Sequence, residues 1–198
     1  ASIAGLLTAR VLSDIGWKVT LLDKDQMQRS LLLSREDGEP ETEVRQRLRG
    51  RLGTPQTRHI HTLLPEGATA LEALFPGIVR ELESGGGKRI PFDDCIKLVI
   101  GGLPVLQPSG SAYGLETVLC SRALIEASLR RRVCGLSQVR LLSGKAAKRL
   151  IGSKGVVEGV MLVDGECLPA SLVVDASGRG SRCERWIAEI GGEKPERE

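Results

Sequence analysis

The first 25 residues constrain the fold of this chain most, because they have the pattern of a helix followed by a buried strand. Apolar residues recur at helical spacing up to Leu12, Gly16 ends the pattern, and residues 17–22 have the composition of a buried strand. An acid, Asp23, follows this strand 18 positions after Gly5. This order of glycine, helix, strand and acid is typical of the second half of a dinucleotide-binding βαβ unit.

Three positions have distinct roles in such a unit. Gly5 fits the third glycine of G-x-G-x-x-G, where helix and strand pack closely, and Ser2 takes the second position, beside a pyrophosphate. A pyrophosphate binds a helix N-terminus because unpaired N–H groups and the positive dipole end meet there. Asp23 can accept hydrogen bonds from the adenosine ribose. The first glycine and the first strand would precede Ala1, so we expect the chain to begin inside this motif. The alternative is an ordinary βαβ unit with a surface aspartate.

Composition excludes several other classes of protein. The net charge is only +3, and the few aromatic residues do not alternate with the arginine runs, which argues against a nucleic-acid partner. Five cysteines without C-x-x-C spacing argue against a disulfide framework or a zinc site. His59 and His61 lack further ligands at suitable spacing, so no metal is expected. Neither a secretory signal nor a membrane-spanning apolar run is present, which predicts a cytoplasmic protein.

The middle of the chain predicts a long polar insert, an interrupted helix and a small sheet. Residues 26–53 are expected to be exposed, and 65–84 form a helix that Pro76-Gly77 interrupts. Residues 90–119 alternate short apolar runs with Pro and Gly, which is typical of short strands. The next helix, 122–134, is capped by Ser121. Its predicted apolar face includes Ala123, Leu124, Ala127 and Leu129.

The last third predicts a return to the main sheet. After a short buried strand at 139–142, a meander is expected over 145–170, with turns at 152–155 and 164–165. The apolar run 171–175 is predicted to be a strand that ends in Asp175, with a glycine-rich loop and a helix after it. Ligands of open α/β sheets bind at the carboxyl ends of parallel strands, so Asp23 and Asp175 together favour a cofactor site.

Four stretches of the chain stand out together: ASIAG with LLDKD, GTPQTRHIHTLLPEG, CSRALIEASLRRRV, and LVVDASGRGSR followed by RW. In this order they resemble the FAD-dependent oxidoreductases of the aromatic-ring hydroxylase type. That group includes para-hydroxybenzoate hydroxylase-like and polyprenyl-methoxyphenol hydroxylase-like proteins. The resemblance implies FAD as cofactor, NAD(P)H as electron donor, and oxygen and a small organic molecule as substrates. It singles out no catalytic side chain.

The resemblance also implies which residues bind the cofactor. Around the pyrophosphate and the adenosine ribose these are Ser2, Ala4, Gly5, Asp23 and Lys24. Arg122 matches an arginine that faces the cofactor, and Asp175, Gly178 and Arg179 match a loop beside it. The alternatives are a surface arginine at a helix start and an ordinary strand-end loop.

The predicted fold class is α/β, with a Rossmann-like FAD-binding domain that lacks its first strand, a β-meander, and part of a smaller β-rich substrate domain. Residues 1–84 and 120–198 are assigned to the FAD-binding domain, and 85–119 to the substrate domain. The predicted function is that of an FAD-dependent monooxygenase, of which this chain is a fragment that is inactive alone and truncated at both ends. The alternatives are a flavin-dependent reductase of the geranylgeranyl reductase type and a nucleotide-binding module without catalysis.

Overall fold

The structure, a computed structural model, describes residues 2–26, 60–91, 99–104 and 114–193. Except for Gln26, the predicted insert at 26–53 lies outside the described residues, and so does His59. The helices of the described part are α1 (Ile3–Asp14), α2 (Pro65–Leu74), α3 (Ile78–Ser84), α4 (Arg122–Cys134) and α5 (Cys183–Glu189). Its strands are β1 (Val19–Asp23), β2 (Ile60–Leu63), β3 (Lys88–Pro91), β4 (Val99–Ile100), β5 (Leu103–Pro104), β6 (Glu116–Ser121), β7 (Val139–Ser143), β8 (Ala147–Ser153), β9 (Val156–Leu162) and β10 (Cys167–Pro169).

The described residues divide into two compact units. The first unit contains 2–26 and 133–193, and the second contains the described residues from 60 to 132. The second unit includes a sheet with the order β2-β6-β3, which joins strands from both sides of the predicted domain boundary at 84/85. The division of the chain into an FAD-binding and a substrate domain stays a prediction.

The first unit is built on one parallel strand pair. β1 and β7 run parallel, in a register that places Val19 opposite Val139 and Asp23 opposite Ser143. α1 precedes β1 and buries Leu6 and Ala9 on its inner face. Leu21 on β1 is also buried. β7 was predicted to be a buried strand, but its residues are only half-buried or exposed, so that expectation is wrong.

The predicted meander is confirmed as an antiparallel sheet with the order β10-β9-β8. The turn between β8 and β9 places Lys154 and Gly155 at positive φ, and Gly165 turns the chain between β9 and β10. This sheet carries the core of the unit, with α5 packed on it. The buried core residues are Leu150, Val160, Leu162 and Ile190.

The predicted strand at 171–175 is wrong, because this segment is irregular in the structure. Val173 packs against the core, but Leu172 and Val174 are 47% and 50% exposed. A strand needs a neighbour for its N–H and C=O groups, and the described residues pair no strand with this segment. Asp175 therefore ends an irregular segment and not a strand of a sheet.

The second unit packs α2 and α3 against the central strand β6. The predicted interruption is confirmed: α2 ends at Leu74 and α3 begins at Ile78, with Gly77 at a φ of +82° between them. The side chains buried in this packing include Leu71, Phe75, Ile78, Leu82 and Val118. Thr117 ties the sheet together by donating a hydrogen bond to the Leu63 carbonyl at 2.7 Å.

The bounds of α4 match the prediction, and so does its cap, because Ser121 Oγ accepts a hydrogen bond from Leu124 N at 3.2 Å. Its predicted apolar face is confirmed only in part. Of the four residues assigned to it only Leu129 is buried, whereas Ala123, Leu124 and Ala127 are half-buried. The buried residues of α4 are Ile125, Glu126, Ser128, Leu129, Arg130 and Val133. Charged side chains therefore share the buried surface of this helix.

Candidate cofactor-binding site

The N-terminus of α1 has the properties of an anion-binding helix start. Ser2 is the N-cap residue with an extended backbone, and its carbonyl accepts the first helical hydrogen bond, from Leu6 N at 3.0 Å. Its hydroxyl does not cap the helix, and the first turn contains no acidic residue. The first N–H groups of a helix have no intrahelical partner, and the dipole there is positive. A pyrophosphate fits this position by its charge and by its many acceptor oxygens.

Ala4 and Gly5 differ in their exposure within the same turn. Ala4 is exposed, whereas Gly5 is buried. A buried glycine in the first turn of a helix fits close packing against a neighbouring element.

Asp23 ends β1 and is only 4% exposed. Its Oδ1 accepts a hydrogen bond from Asp25 N at 3.1 Å, and its carbonyl accepts one from Lys145 N at 3.0 Å. Asp23 is therefore buried and not a surface residue, while its role in binding stays a prediction. The carboxylate is held in place at the carboxyl end of a parallel strand pair, which is where open α/β sheets bind ligands.

Hydrogen bonds join the turn after Asp23 to the end of β7. The Asp25 carbonyl accepts hydrogen bonds from Ser143 Oγ and from Gly144 N, each at 3.2 Å. Lys24, in the same turn, is exposed. Sequence reasoning did not identify Ser143, although a hydroxyl just after a strand is a common partner for a neighbouring turn.

The carboxylate of Asp175 organises the loop that follows it. Oδ1 accepts a hydrogen bond from Ser177 N at 2.8 Å, and Oδ2 accepts one from Ser181 Oγ at 2.7 Å. Ser181 Oγ in turn accepts one from Cys183 N, 3.1 Å away, at the start of α5. Partial burial opposes ionisation, but the hydrogen bonds from Ser177 and Ser181 outweigh it and lower the pKa of Asp175. The loop is thereby preformed.

Gly178 and Arg179 stand on the exposed tip of this loop. Gly178 has a φ of +74°, which disfavours any other residue, and it begins a single 3₁₀ turn that ends at Gly180. Arg179 is exposed. A Cβ added at Gly178 or Gly180 would meet no atom within 4 Å, so the surface above both glycines is open to another molecule.

Arg122 begins α4 and belongs to the second unit, whereas the other eight predicted site residues belong to the first. Its side chain is 19% exposed, and its Nε donates a hydrogen bond to Oε1 of Glu126 at 3.1 Å. Arg122 is therefore partly buried, and its contact with a cofactor stays a prediction. Sequence reasoning did not identify Glu126, although the i, i+4 spacing of arginine and glutamate was visible.

The described residues offer neither a metal site nor a membrane-spanning helix. They contain no group of three or more His, Cys, Asp or Glu side chains that could hold a metal ion. Within the same ranges, no helix combines the length and apolar character needed to cross a membrane. Location in the cytoplasm stays a prediction from the sequence.

No protein-family model matches the sequence. The chain is 33% identical to protein Rv3254 of Mycobacterium tuberculosis (strain ATCC 25618 / H37Rv), across 98% of this chain and 40% of that protein. The chain thus spans about two fifths of the length of this relative. The name of Rv3254 states no activity.

Among solved structures, the chain is similar to PqsL of Pseudomonas aeruginosa, which is described as a probable FAD-dependent monooxygenase. The match has a TM-score of 0.66 at 18% identity and covers 97% of this chain and 44% of PqsL. PqsL in complex with 2-aminobenzoylacetate matches with the same TM-score and identity and 45% coverage of PqsL. A PqsL mutant matches with a TM-score of 0.64 at 19% identity. The chain is therefore a mixed α/β protein that shares the fold of part of PqsL.

Proposed function

We propose that the chain belongs to an FAD-dependent monooxygenase of the aromatic-ring hydroxylase type that acts on a small organic substrate, with NAD(P)H as electron donor. One observation carries the proposal: a helix start without a side-chain cap precedes a parallel strand that ends in the buried Asp23. The likeness to PqsL, a probable FAD-dependent monooxygenase, supports the choice of FAD among dinucleotides.

The residues present fit FAD by charge and by hydrogen-bonding capacity. The N–H groups of the first turn of α1, around Ser2, Ala4 and Gly5, suit the pyrophosphate. The carboxylate of Asp23 suits the ribose hydroxyls, because a charged acceptor makes a strong hydrogen bond with them. Lys24 adds a positive charge beside this site.

Two further elements are proposed to contact the cofactor. Arg122 offers a permanently charged guanidinium for a phosphate or for the flavin oxygens. The loop of Asp175, Gly178 and Arg179 supplies a preformed backbone, and we propose that Arg179 lies near Ser2 and Gly5. FAD, when bound, supplies the electron transfer and the oxygen chemistry, and the protein orients it and excludes water.

The test is to purify the full-length protein, to record its visible absorption, and to measure oxygen uptake with NAD(P)H. We expect bound flavin, and NAD(P)H oxidation coupled to oxygen consumption when a substrate is present. A protein that stays colourless after reconstitution with FAD contradicts the proposal. Bound FAD with a hydrogenated product and no oxygen uptake indicates a reductase instead, and bound nucleotide without turnover indicates a binding module.

A further inference from the structure

A charged stripe runs along the buried surface of α4. Arg122, Glu126 and Arg130 are spaced four residues apart, so they share one face of the helix. The side chains of Glu126 and Arg130 are each 4% exposed. Next to this stripe lies an apolar stripe of buried residues, formed by Ile125, Leu129 and Val133. α4 therefore buries charged side chains beside its apolar ones.

Glu126 places one carboxylate oxygen toward each arginine of the charged stripe. Oε1 is 3.1 Å from Nε of Arg122, and Oε2 is 3.9 Å from a terminal nitrogen of Arg130. Removing ions from water is costly, and replacing buried ion groups by apolar side chains is often neutral or stabilising. Stability alone therefore does not account for this arrangement. A buried carboxylate does constrain the guanidinium that it contacts.

We propose that Glu126 is a positioning residue, which fixes the Arg122 guanidinium in the orientation that binds an anionic group of FAD. This inference rests on the proposed function, which assigns Arg122 to the cofactor. Arg130 lies beside the second oxygen of the carboxylate, so that Glu126 stands between two arginines. The Arg122 side chain is then ordered before FAD binds. Binding therefore does not include the entropy cost of ordering this side chain, and the affinity for FAD is higher.

Positioning and simple electrostatics predict opposite effects when Glu126 is neutralised. Removing a negative charge that is 3.1 Å from Arg122 makes the surroundings more positive, which by itself tightens the binding of an anion. Releasing the Arg122 side chain weakens binding, because its many rotamers must then be ordered by FAD. The sign of the change in the FAD dissociation constant therefore distinguishes the two effects.

The experiment compares four full-length proteins: wild type, Glu126→Gln, Arg122→Ala and the double variant. FAD is titrated into each apoprotein, and quenching of flavin fluorescence gives its dissociation constant. We expect Glu126→Gln to weaken FAD binding about twofold to twelvefold, the cost of ordering one long side chain. In the Arg122→Ala background the same substitution should have no further effect, because the side chain that it positions is absent.

A matched control is Glu189→Gln on α5. Arg185 and Glu189 form the same i, i+4 pair, with Nε and Oε1 2.7 Å apart, but their side chains are 78% and 41% exposed. We expect this variant to bind FAD as wild type does. If Glu189→Gln weakened FAD binding as much as Glu126→Gln does, the loss of any arginine–glutamate pair on a helix would be enough to weaken binding. That result would overturn the inference.

Other outcomes also overturn the inference. Unchanged or tighter FAD binding by Glu126→Gln excludes positioning, and equal weakening in both backgrounds indicates a general structural role. If Glu126→Gln does not fold, Glu126→Asp replaces it in both backgrounds, since it keeps the charge but cannot span the same distance, and the same loss is expected. Wild-type protein that binds no FAD would overturn the proposed function itself, whereas FAD binding that is insensitive to Glu126 overturns only this inference.

Discussion

Replacing Asp23 by alanine should weaken FAD binding while lowering stability only modestly. The carboxylate ends β1, is 4% exposed, and accepts a hydrogen bond from Asp25 N at 3.1 Å. Losing a charge-assisted hydrogen bond to the ribose costs about 1.5–3 kcal/mol. The dissociation constant of FAD should therefore rise roughly tenfold to a hundredfold. Loss of the bond to Asp25 costs about 1 kcal/mol of unfolding free energy.

The Asp23→Asn variant removes the charge of this side chain but keeps its hydrogen bond within the turn, so it distinguishes the two contributions. Asparagine keeps the size and the acceptor oxygen for Asp25 N, but its bond to the ribose is neutral. The difference between a charged and a neutral hydrogen bond is about 1–1.5 kcal/mol, so FAD binding should weaken about fivefold to twelvefold. The assay is flavin fluorescence quenching for each variant, alongside thermal melts without FAD.

Asp164→Ala is the matched control for the alanine variant. Asp164 accepts the same type of local bond, from Glu166 N at 3.1 Å, and it also forms an exposed ion pair with Lys145 Nζ. It lies in the turn between β9 and β10, and its side chain is 46% exposed. It should leave the FAD dissociation constant unchanged. If Asp23→Ala lowers the melting temperature as this control does but binds FAD like wild type, Asp23 only supports the turn and the reasoning is refuted.

Three further predictions concern the loop, its glycines and the cysteines. Because the pKa of Asp175 is lowered in the folded protein, its ionised carboxylate stabilises the fold. This stabilisation is complete at pH values above the ordinary pKa of an aspartate, and it is lost as the pH falls through the lowered pKa of the folded state. Asp175→Asn should therefore flatten the acid end of a melting temperature–pH curve, and an unchanged curve would contradict this. Gly178→Ala should cost about 1–2 kcal/mol in urea unfolding because of its positive φ, whereas Gly180→Ala should cost little, and equal losses would be contrary to expectation. Burial raises the pKa of the Cys120 thiol to about 11. At pH 8 iodoacetamide should therefore alkylate the exposed Cys167 before Cys120, which mass spectrometry can follow. Faster alkylation of Cys120 would refute this prediction.

Local signals in the sequence were sufficient for the helix ends and the tight turns. Ser121 before a helical pattern, Pro76-Gly77 within one, and Asp164-Gly165 between alternating runs each act through the backbone of nearby residues. A cap, a break and a hairpin turn need no distant partner. Their positions in the structure therefore agree with the prediction.

Features that depend on distant partners were not predictable in the same way. Residues 171–175 have the composition of a strand, but the described residues supply no strand to pair with them, so the segment is irregular. In α4, apolar content suggested Ala123 and Leu124 for the buried face, whereas Glu126 is buried because it meets two arginines. Burial of a charge depends on its counter-ions, which a count of apolar residues does not detect.

The most direct test of the account is a crystal structure of the full-length protein with FAD. We expect the pyrophosphate oxygens to lie within hydrogen-bond distance, about 2.7–3.2 Å, of N–H groups in the first turn of α1. We also expect a ribose hydroxyl about 2.5–2.7 Å from the carboxylate of Asp23. An FAD molecule bound elsewhere, with the first turn of α1 and Asp23 both away from it, would contradict the central claim.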